Sequence, residues 1–135
     1  MNNLNYNQKL SLLHNLLTLT RADHVESESE VDFIYQIGKK LNIEKSDIDG
    51  LIDKEVDFYP PKAEHQRIVL FYTFLLVMKI DGKLSKNEIE VCREIGFKLG
   101  LNPFAIHNLL DQLMSNPKKK IPAVDVIKFF KLYHN

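Results

Sequence analysis

Two short acidic segments contain the residues of this chain that are best suited to bind a cation. The second segment is D-G-K-L-S-K-N-E, from Asp81 to Glu88, and the first runs from Asp23 to Glu30. Carboxylate oxygens are ligands that Ca²⁺ and Mg²⁺ prefer in proteins. Asp23, Glu30, Asp81 and Glu88 are therefore the candidate metal ligands.

An EF-hand is the first calcium site to test against this spacing. Residues 81–88 fit positions 5 to 12 of that loop, with Gly82 where the loop needs its glycine. Positions 1 and 3, which need oxygen ligands, fall on Val77 and Lys79, and position 3 of the first segment is Arg21. A basic side chain would face the cation in both segments, so the sequence argues against an EF-hand. Weak Ca²⁺ or Mg²⁺ binding by the carboxylates and water stays open.

The same polar residues also have the spacing of helix caps. Ser85 with Glu88, and Ser27 with Glu30, match the S-x-x-E pattern of a capping box. The serine oxygen accepts a hydrogen bond from the amide three residues later, and the glutamate reaches back to the serine amide. Such a cap contributes about 1 kcal/mol. Capping explains these residues without a metal, and we take it as the simpler interpretation.

The remaining reactive side chains form no catalytic or zinc-binding pattern. The five histidines lack the H-x-x-x-H and H-x-x-E-H spacings of zinc sites. Cys92, the single cysteine, lies between Ile89 and Ile95 on one helical face, where we expect a buried thiol. No nucleophile elbow, P-loop or dinucleotide-binding motif occurs. We therefore predict a protein that is not an enzyme, with no catalytic residue and no cofactor.

The elements that position these residues follow from an internal repeat. Ten of the 31 positions from 23 to 53 carry the same residue 58 positions later, without a gap. The identical pairs are Asp23/Asp81, Ser27/Ser85, Glu30/Glu88, Ile37/Ile95, Gly38/Gly96, Lys40/Lys98, Leu41/Leu99, Ile48/Ile106, Leu51/Leu109 and Asp53/Asp111. Repeat one covers about residues 8–58 and repeat two about 62–116. Because two copies are fewer than a solenoid needs, we expect one domain, 1–135, with approximate twofold symmetry.

Each repeat predicts three helices. In repeat two an apolar helix ends near Ile80, and a second helix begins after Ser85 and stops at Gly100. Asn102 and Pro103 are suited to be the N-cap and first residue of a short third helix. Repeat one has the same apolar spacing, so the same three helices are expected there.

A further helix over about 122–134 brings the predicted count to seven. No segment alternates apolar and polar residues with period two, so the predicted fold class is an all-α bundle. The densest apolar run, from Ile68 to Met78, is shorter than the roughly 20 residues of a membrane span, and we expect a buried helix. Gly38 and Gly96 fall inside predicted helices, which suggests that two helices cross closely at each.

Charge is balanced overall but unevenly distributed. Eighteen basic and eighteen acidic side chains cancel, which argues against a nucleic-acid-binding protein. Residues 1–59 carry eleven acidic and six basic side chains, whereas residues 60–135 carry seven and twelve, including the run Lys118 to Lys120. We interpret these charges as solvated surfaces. The alternative is charge-steered docking, with another protein or head to tail in a homo-oligomer.

Repeat two, through KIDGKLSKNEIEVCREIGFKLGLNP, resembles the TerB-like family of bacterial tellurite-resistance and stress proteins. The D-G-x-(L/V)-S-x-x-E turn, the helix ending I-G-x-K-L-G and the short third helix carry this resemblance, which spans roughly Gln8 to Met114. Repeat one keeps the aspartate, serine and glutamate of the turn but has His24 in place of the glycine.

The resemblance implies an all-helical, non-enzymatic module that acts in the bacterial cytoplasm during a stress response. Similar modules occur with membrane partners and beside a DnaJ-like co-chaperone, which implies a protein partner, membrane-associated in some cases. The resemblance also implies that Asp23, Glu30, Asp81 and Glu88 form a divalent-metal site. A metal-binding or metal-sensing protein is therefore the alternative function.

Overall fold

The structure, a computed structural model, describes residues 4–22, 28–51, 54–80 and 84–133. Within these ranges the chain forms seven α-helices and no strand, which confirms the all-α prediction and the count of seven. The helices are α1 Tyr6–Thr20, α2 Glu28–Lys40, α3 Lys45–Asp49, α4 Glu64–Lys79, α5 Lys86–Lys98, α6 Pro103–Ser115 and α7 Ala123–Leu132.

The helix ends are determined by local side chains and backbone. Asn5 caps α1 by accepting a hydrogen bond from the Gln8 amide at 2.8 Å. Asn102 caps α6 in the same way, with Pro103 as its first residue, as predicted. Gly100 has φ +72°, a left-handed conformation that side-chain-bearing residues avoid, and it ends α5 at the expected position.

The buried apolar side chains of all seven helices form one contiguous core. Helices α1 and α4 lie at its centre: α1 packs on α2, α3, α4 and α5, and α4 packs on α1, α2, α5 and α7. Phe71 and Phe74 of α4 are almost completely buried, which confirms that the densest apolar run is a core helix. Among the described residues, no helix has the length and apolar character needed to cross a membrane.

Corresponding helices of the two predicted repeats begin 58 residues apart, at 6 and 64, 28 and 86, and 45 and 103. The third helices differ in length, with five residues in α3 and thirteen in α6. The third helix of repeat two begins at Pro103 after the Asn102 cap, as predicted, and runs to Ser115. Helix α6 continues because buried Leu109, Leu110 and Leu113 extend its apolar face into the core. The twofold relation between the repeats stays a prediction.

Candidate functional site

The second acidic segment leads into a complete capping box at the start of α5. The Ser85 hydroxyl accepts a hydrogen bond from the Glu88 amide at 3.0 Å, and Glu88 Oε1 accepts one from the Ser85 amide at 3.3 Å. The predicted cap of repeat two is confirmed. Because the box uses one oxygen of Glu88 and the side chain is only 5% exposed, this carboxylate has a structural role independent of any metal.

Glu30 occupies the corresponding position in repeat one and is 2% exposed, in the first turn of α2. A carboxylate at a helix N-terminus is stabilised by the partial positive charge of the free amides. The other two predicted metal ligands, Asp23 and Asp81, and the predicted cap residue Ser27 lie outside the described residues. A metal site formed by the four carboxylates therefore stays a prediction. Within 4–22, 28–51, 54–80 and 84–133, no three His, Cys, Asp or Glu side chains are grouped closely enough to hold a metal ion.

Lys79, at the third position of the EF-hand register, contacts a distant segment of the chain. Its Nζ donates a hydrogen bond to the backbone carbonyl of Lys119, in the segment between α6 and α7. Partial burial lowers the pKa of this amine, because desolvation disfavours its charged form. The side chain therefore belongs to the surface formed by α4 and the segment that precedes α7.

Cys92 is completely buried on the inner face of α5, as predicted. Burial raises the pKa of its thiol, because the thiolate would lose its hydration in the core. A thiol that stays protonated and inaccessible is a poor nucleophile. Cys92 thus has the properties of a small core side chain.

The two helical glycines are positions of close helix packing, as predicted. A Cβ atom on Gly38 would overlap Cδ1 of Ile48, and one on Gly96 would lie 2.7 Å from Cδ1 of Ile106. Ile48 and Ile106 are themselves one of the ten identical pairs. The same contact between glycine and isoleucine therefore occurs in both halves of the chain.

Several large apolar side chains remain on the surface. Phe104 at the start of α6 is 72% exposed and Leu132 at the end of α7 is 81% exposed. The two helix ends are joined because Asn102 Nδ2 donates to the Tyr133 carbonyl at 3.1 Å and Asn108 Nδ2 donates to the Tyr133 hydroxyl at 2.7 Å. Phe104 and Leu132 therefore lie at the same end of the molecule, which we call the α6–α7 end.

Exposed aromatic and aliphatic side chains are typical of protein contact surfaces. Phe104 and Leu132 were not among the residues predicted to be functional. The available signal was their position outside the apolar stripe of their own helices, which is formed by Ile106 and Leu109 in α6 and by Val126 and Phe130 in α7.

The structure also contains a cavity of about 340 Å³ between α4, α6 and the segment that precedes α7. It was not predicted, because α4, which forms one wall, is more than 30 residues from the α6 and pre-α7 residues that form the others.

Comparisons with protein-family models, with curated proteins and with solved structures each find no match to this chain.

Proposed function

We propose that this chain is a non-enzymatic interaction module of the TerB-like type, which acts in the cytoplasm of a bacterium during a stress response. The observation that carries the proposal is the repeated glycine–isoleucine crossing, Gly38 with Ile48 and Gly96 with Ile106. It lies within the segments that resemble the family, and it supports a duplicated three-helix unit with approximate twofold symmetry. The resemblance and the absence of a catalytic motif in the sequence favour binding over catalysis.

The α6–α7 end is the surface that we propose for the partner. Neighbouring helices cover little of the apolar side chains of Phe104 and Leu132, which are 72% and 81% exposed. Burial of such side chains is the main favourable term in most protein association. The proposed partner is a protein, membrane-associated as in similar modules, and the balanced charge disfavours nucleic acid.

Two measurements test this proposal: growth of a host strain under stress and co-purification of partner proteins. A host strain that lacks this protein should be more sensitive to tellurite or another oxidising stress, and the wild-type gene should restore growth. The double variant Phe104→Ser with Leu132→Ser should not restore growth and should lose the proteins that co-purify with the wild type. Tyr6→Ser is the matched control, because Tyr6 is 57% exposed but lies on α1. Equal complementation by both variants would remove the α6–α7 end from the proposal.

Self-association is a second form of docking, favoured by the surplus of five acids in residues 1–59 and of five bases in residues 60–135. Surface charges separated by more than about 8 Å are screened at physiological ionic strength. Head-to-tail dimers held by these charges should therefore dissociate as salt is raised. Sedimentation velocity at low and high salt measures this directly.

The alternative function, a divalent-metal-binding or metal-sensing protein, is favoured by one observation. Glu30 and Glu88, the last residues of the two acidic segments, are both buried in the first turn of a helix. Calorimetric titration with Mg²⁺, Ca²⁺ and Zn²⁺ tests it. Binding that requires Asp23 or Asp81 as well as the buried glutamates would favour the metal function.

A further inference from the structure

The cavity between α4 and α6 has the size and shape of a small-molecule site. Its volume of about 340 Å³ falls within the range of roughly 300 to 1,000 Å³ that ligand sites occupy. It is partly enclosed by two helices and by the segment that leads into α7. The residues that line it are Tyr72, Leu75, Leu76, Lys79, Leu113, Lys120, Ile121 and Pro122.

The walls of this cavity are mainly hydrocarbon. Leu75 and Leu113 in its lining are buried, while Leu76 is 38% exposed and therefore accessible from solvent. Transfer of apolar surface from water into such a site is favourable. The interior therefore suits an aliphatic chain better than a polar metabolite.

Two cationic side chains and no acidic one complete the lining that the structure describes. Lys79 comes from α4 and Lys120 from the segment before α7, so the two approach from different walls. The bond from Lys79 Nζ to the Lys119 carbonyl holds that amine beside the segment. The amine is partly desolvated, and a ligand carboxylate would replace hydration that it has lost.

We propose that this cavity binds a free medium-chain aliphatic carboxylate, with its hydrocarbon chain between α4 and α6 and its carboxylate at Lys79 and Lys120. Charge complementarity selects the anionic head, and the apolar walls select the chain. A small anion alone would leave the cavity unfilled. A neutral or cationic amphiphile would place no negative charge beside the two lysines.

The first test compares four ligands on the wild-type protein by calorimetry, below the concentration at which each forms micelles. Decanoate should bind. Decanol and decyltrimethylammonium should bind at least about tenfold more weakly, since a charge-assisted contact is worth at least one decade of affinity. Acetate should show no measurable binding. Equal affinities for decanoate and decanol, or for decanoate and acetate, would overturn the proposal.

The second test uses matched lysine variants. Lys79→Met with Lys120→Met keeps most of each aliphatic stem and removes both charges, so decanoate affinity should fall about tenfold while decanol affinity stays the same. Lys118→Met is the control, because Lys118 belongs to the same basic run and does not line the cavity. An equal loss in the control would mean that general surface charge is responsible, and the site would be rejected.

A third variant tests the location without changing charge. Leu76→Trp enlarges a solvent-accessible side chain of the lining and should weaken decanoate and decanol together, with an unchanged circular dichroism spectrum. Unaltered binding would overturn the assignment of the chain to this cavity. An acidic amphipathic peptide that binds more tightly than decanoate, and is blocked by the same variants, would replace the fatty-acid proposal with a peptide site.

Discussion

Repeat one and repeat two begin their helices at corresponding positions, yet they differ in what surrounds the crossing of their second and third helices. At Gly38 an added Cβ would meet the terminal methyl of Ile48, whereas at Gly96 it would meet both Ile106 and the Phe71 ring, the latter at 3.0 Å. Phe71 belongs to α4, a helix outside the crossing. The glycine of repeat one therefore lies where two helices meet, α2 and α3, whereas the glycine of repeat two lies where three helices meet, α4, α5 and α6.

The difference extends to α7, which lies outside both repeats and packs on the first helix of repeat two. Helix α7 packs on α4, and its Phe130 ring lies 5.8 Å from the Phe71 ring in an edge-to-face arrangement. Helix α6 is also longer than α3 by eight residues, thirteen against five. Similar local sequences thus acquire different packing from their neighbours, and repeat two should be the more sensitive to substitution.

The largest expected effect is at the contact that only repeat two has. Phe130→Ala should lower the free energy of unfolding by about 3 to 5 kcal/mol, because it removes a buried ring and leaves a cavity against Phe71. Phe129→Ala is the control, since that ring is only partly buried. Denaturant midpoints measure both. Equal, small losses would show that α7 contributes little to repeat two.

The next effect is at the glycines. Gly96→Leu should destabilise the protein by about 1 to 3 kcal/mol, because the new side chain must displace both Ile106 and Phe71. Gly38→Leu should cost less, since the new side chain would meet the flexible end of one side chain, Ile48, and no aromatic ring. Chemical denaturation of the two variants gives the order directly.

A second substitution sharpens this comparison. Ile106→Val removes the Cδ1 methyl that a Cβ on Gly96 would meet, so it should partly rescue Gly96→Ala. The corresponding pair is Gly38→Ala with Ile48→Val. If Gly38→Leu proves more harmful than Gly96→Leu, the role assigned to Phe71 is wrong.

Cys92 in repeat two corresponds to Ile34 in repeat one, 58 residues earlier, and both side chains are fully buried. Only the cysteine can ionise, so only repeat two should make the free energy of unfolding depend on pH at this position. Burial raises the pKa of the Cys92 thiol, so the native state keeps a proton that the unfolded chain releases above about pH 8.5. Its contribution to stability is therefore present below that pH and is lost above it, by about 1.4 kcal/mol per pH unit. Cys92→Ala should lack this loss when midpoints are compared at about pH 8 and pH 10, whereas identical slopes would contradict it.

A smaller effect is expected at the caps. Ser85→Ala should cost about 0.5 to 2 kcal/mol, because the Glu88 amide loses its acceptor. If repeat one has the same cap, Ser27→Ala should cost a similar amount. The melting temperatures of the two variants compare the caps of the two repeats, of which the structure describes only the cap of repeat two. A neutral Ser27→Ala would show that the caps differ.

The smallest effect concerns metal. Asparagine accepts hydrogen bonds as well as aspartate does in turns but lacks the negative charge that hard cations need. Asp81→Asn should therefore keep most of the stability, and we expect little rise in melting temperature of the wild type at about 1 mM Ca²⁺ or Mg²⁺. A rise of several degrees that Asp81→Asn abolishes and Asp23→Asn retains would assign a metal site to repeat two alone.

The sequence by itself determined the features that depend on a few neighbouring residues. The capping box at Ser85, the Asn102 cap with Pro103, and the stop at Gly100 are each local hydrogen-bonding or backbone preferences, so no distant contact is needed to predict them. The apolar spacing of Ile89, Cys92 and Ile95 likewise predicted the buried face of α5.

Only the tertiary structure decided how these elements meet. The packing of Phe130 on Phe71 and the cavity bounded by Lys79 and Lys120 depend on contacts between segments 40 or more residues apart. Periodicity shows that a helical face is apolar, but it does not show which other face covers it or where a gap is left. Burial is a property of the assembled helices, which is why these features appear only when α4, α6 and α7 are brought together.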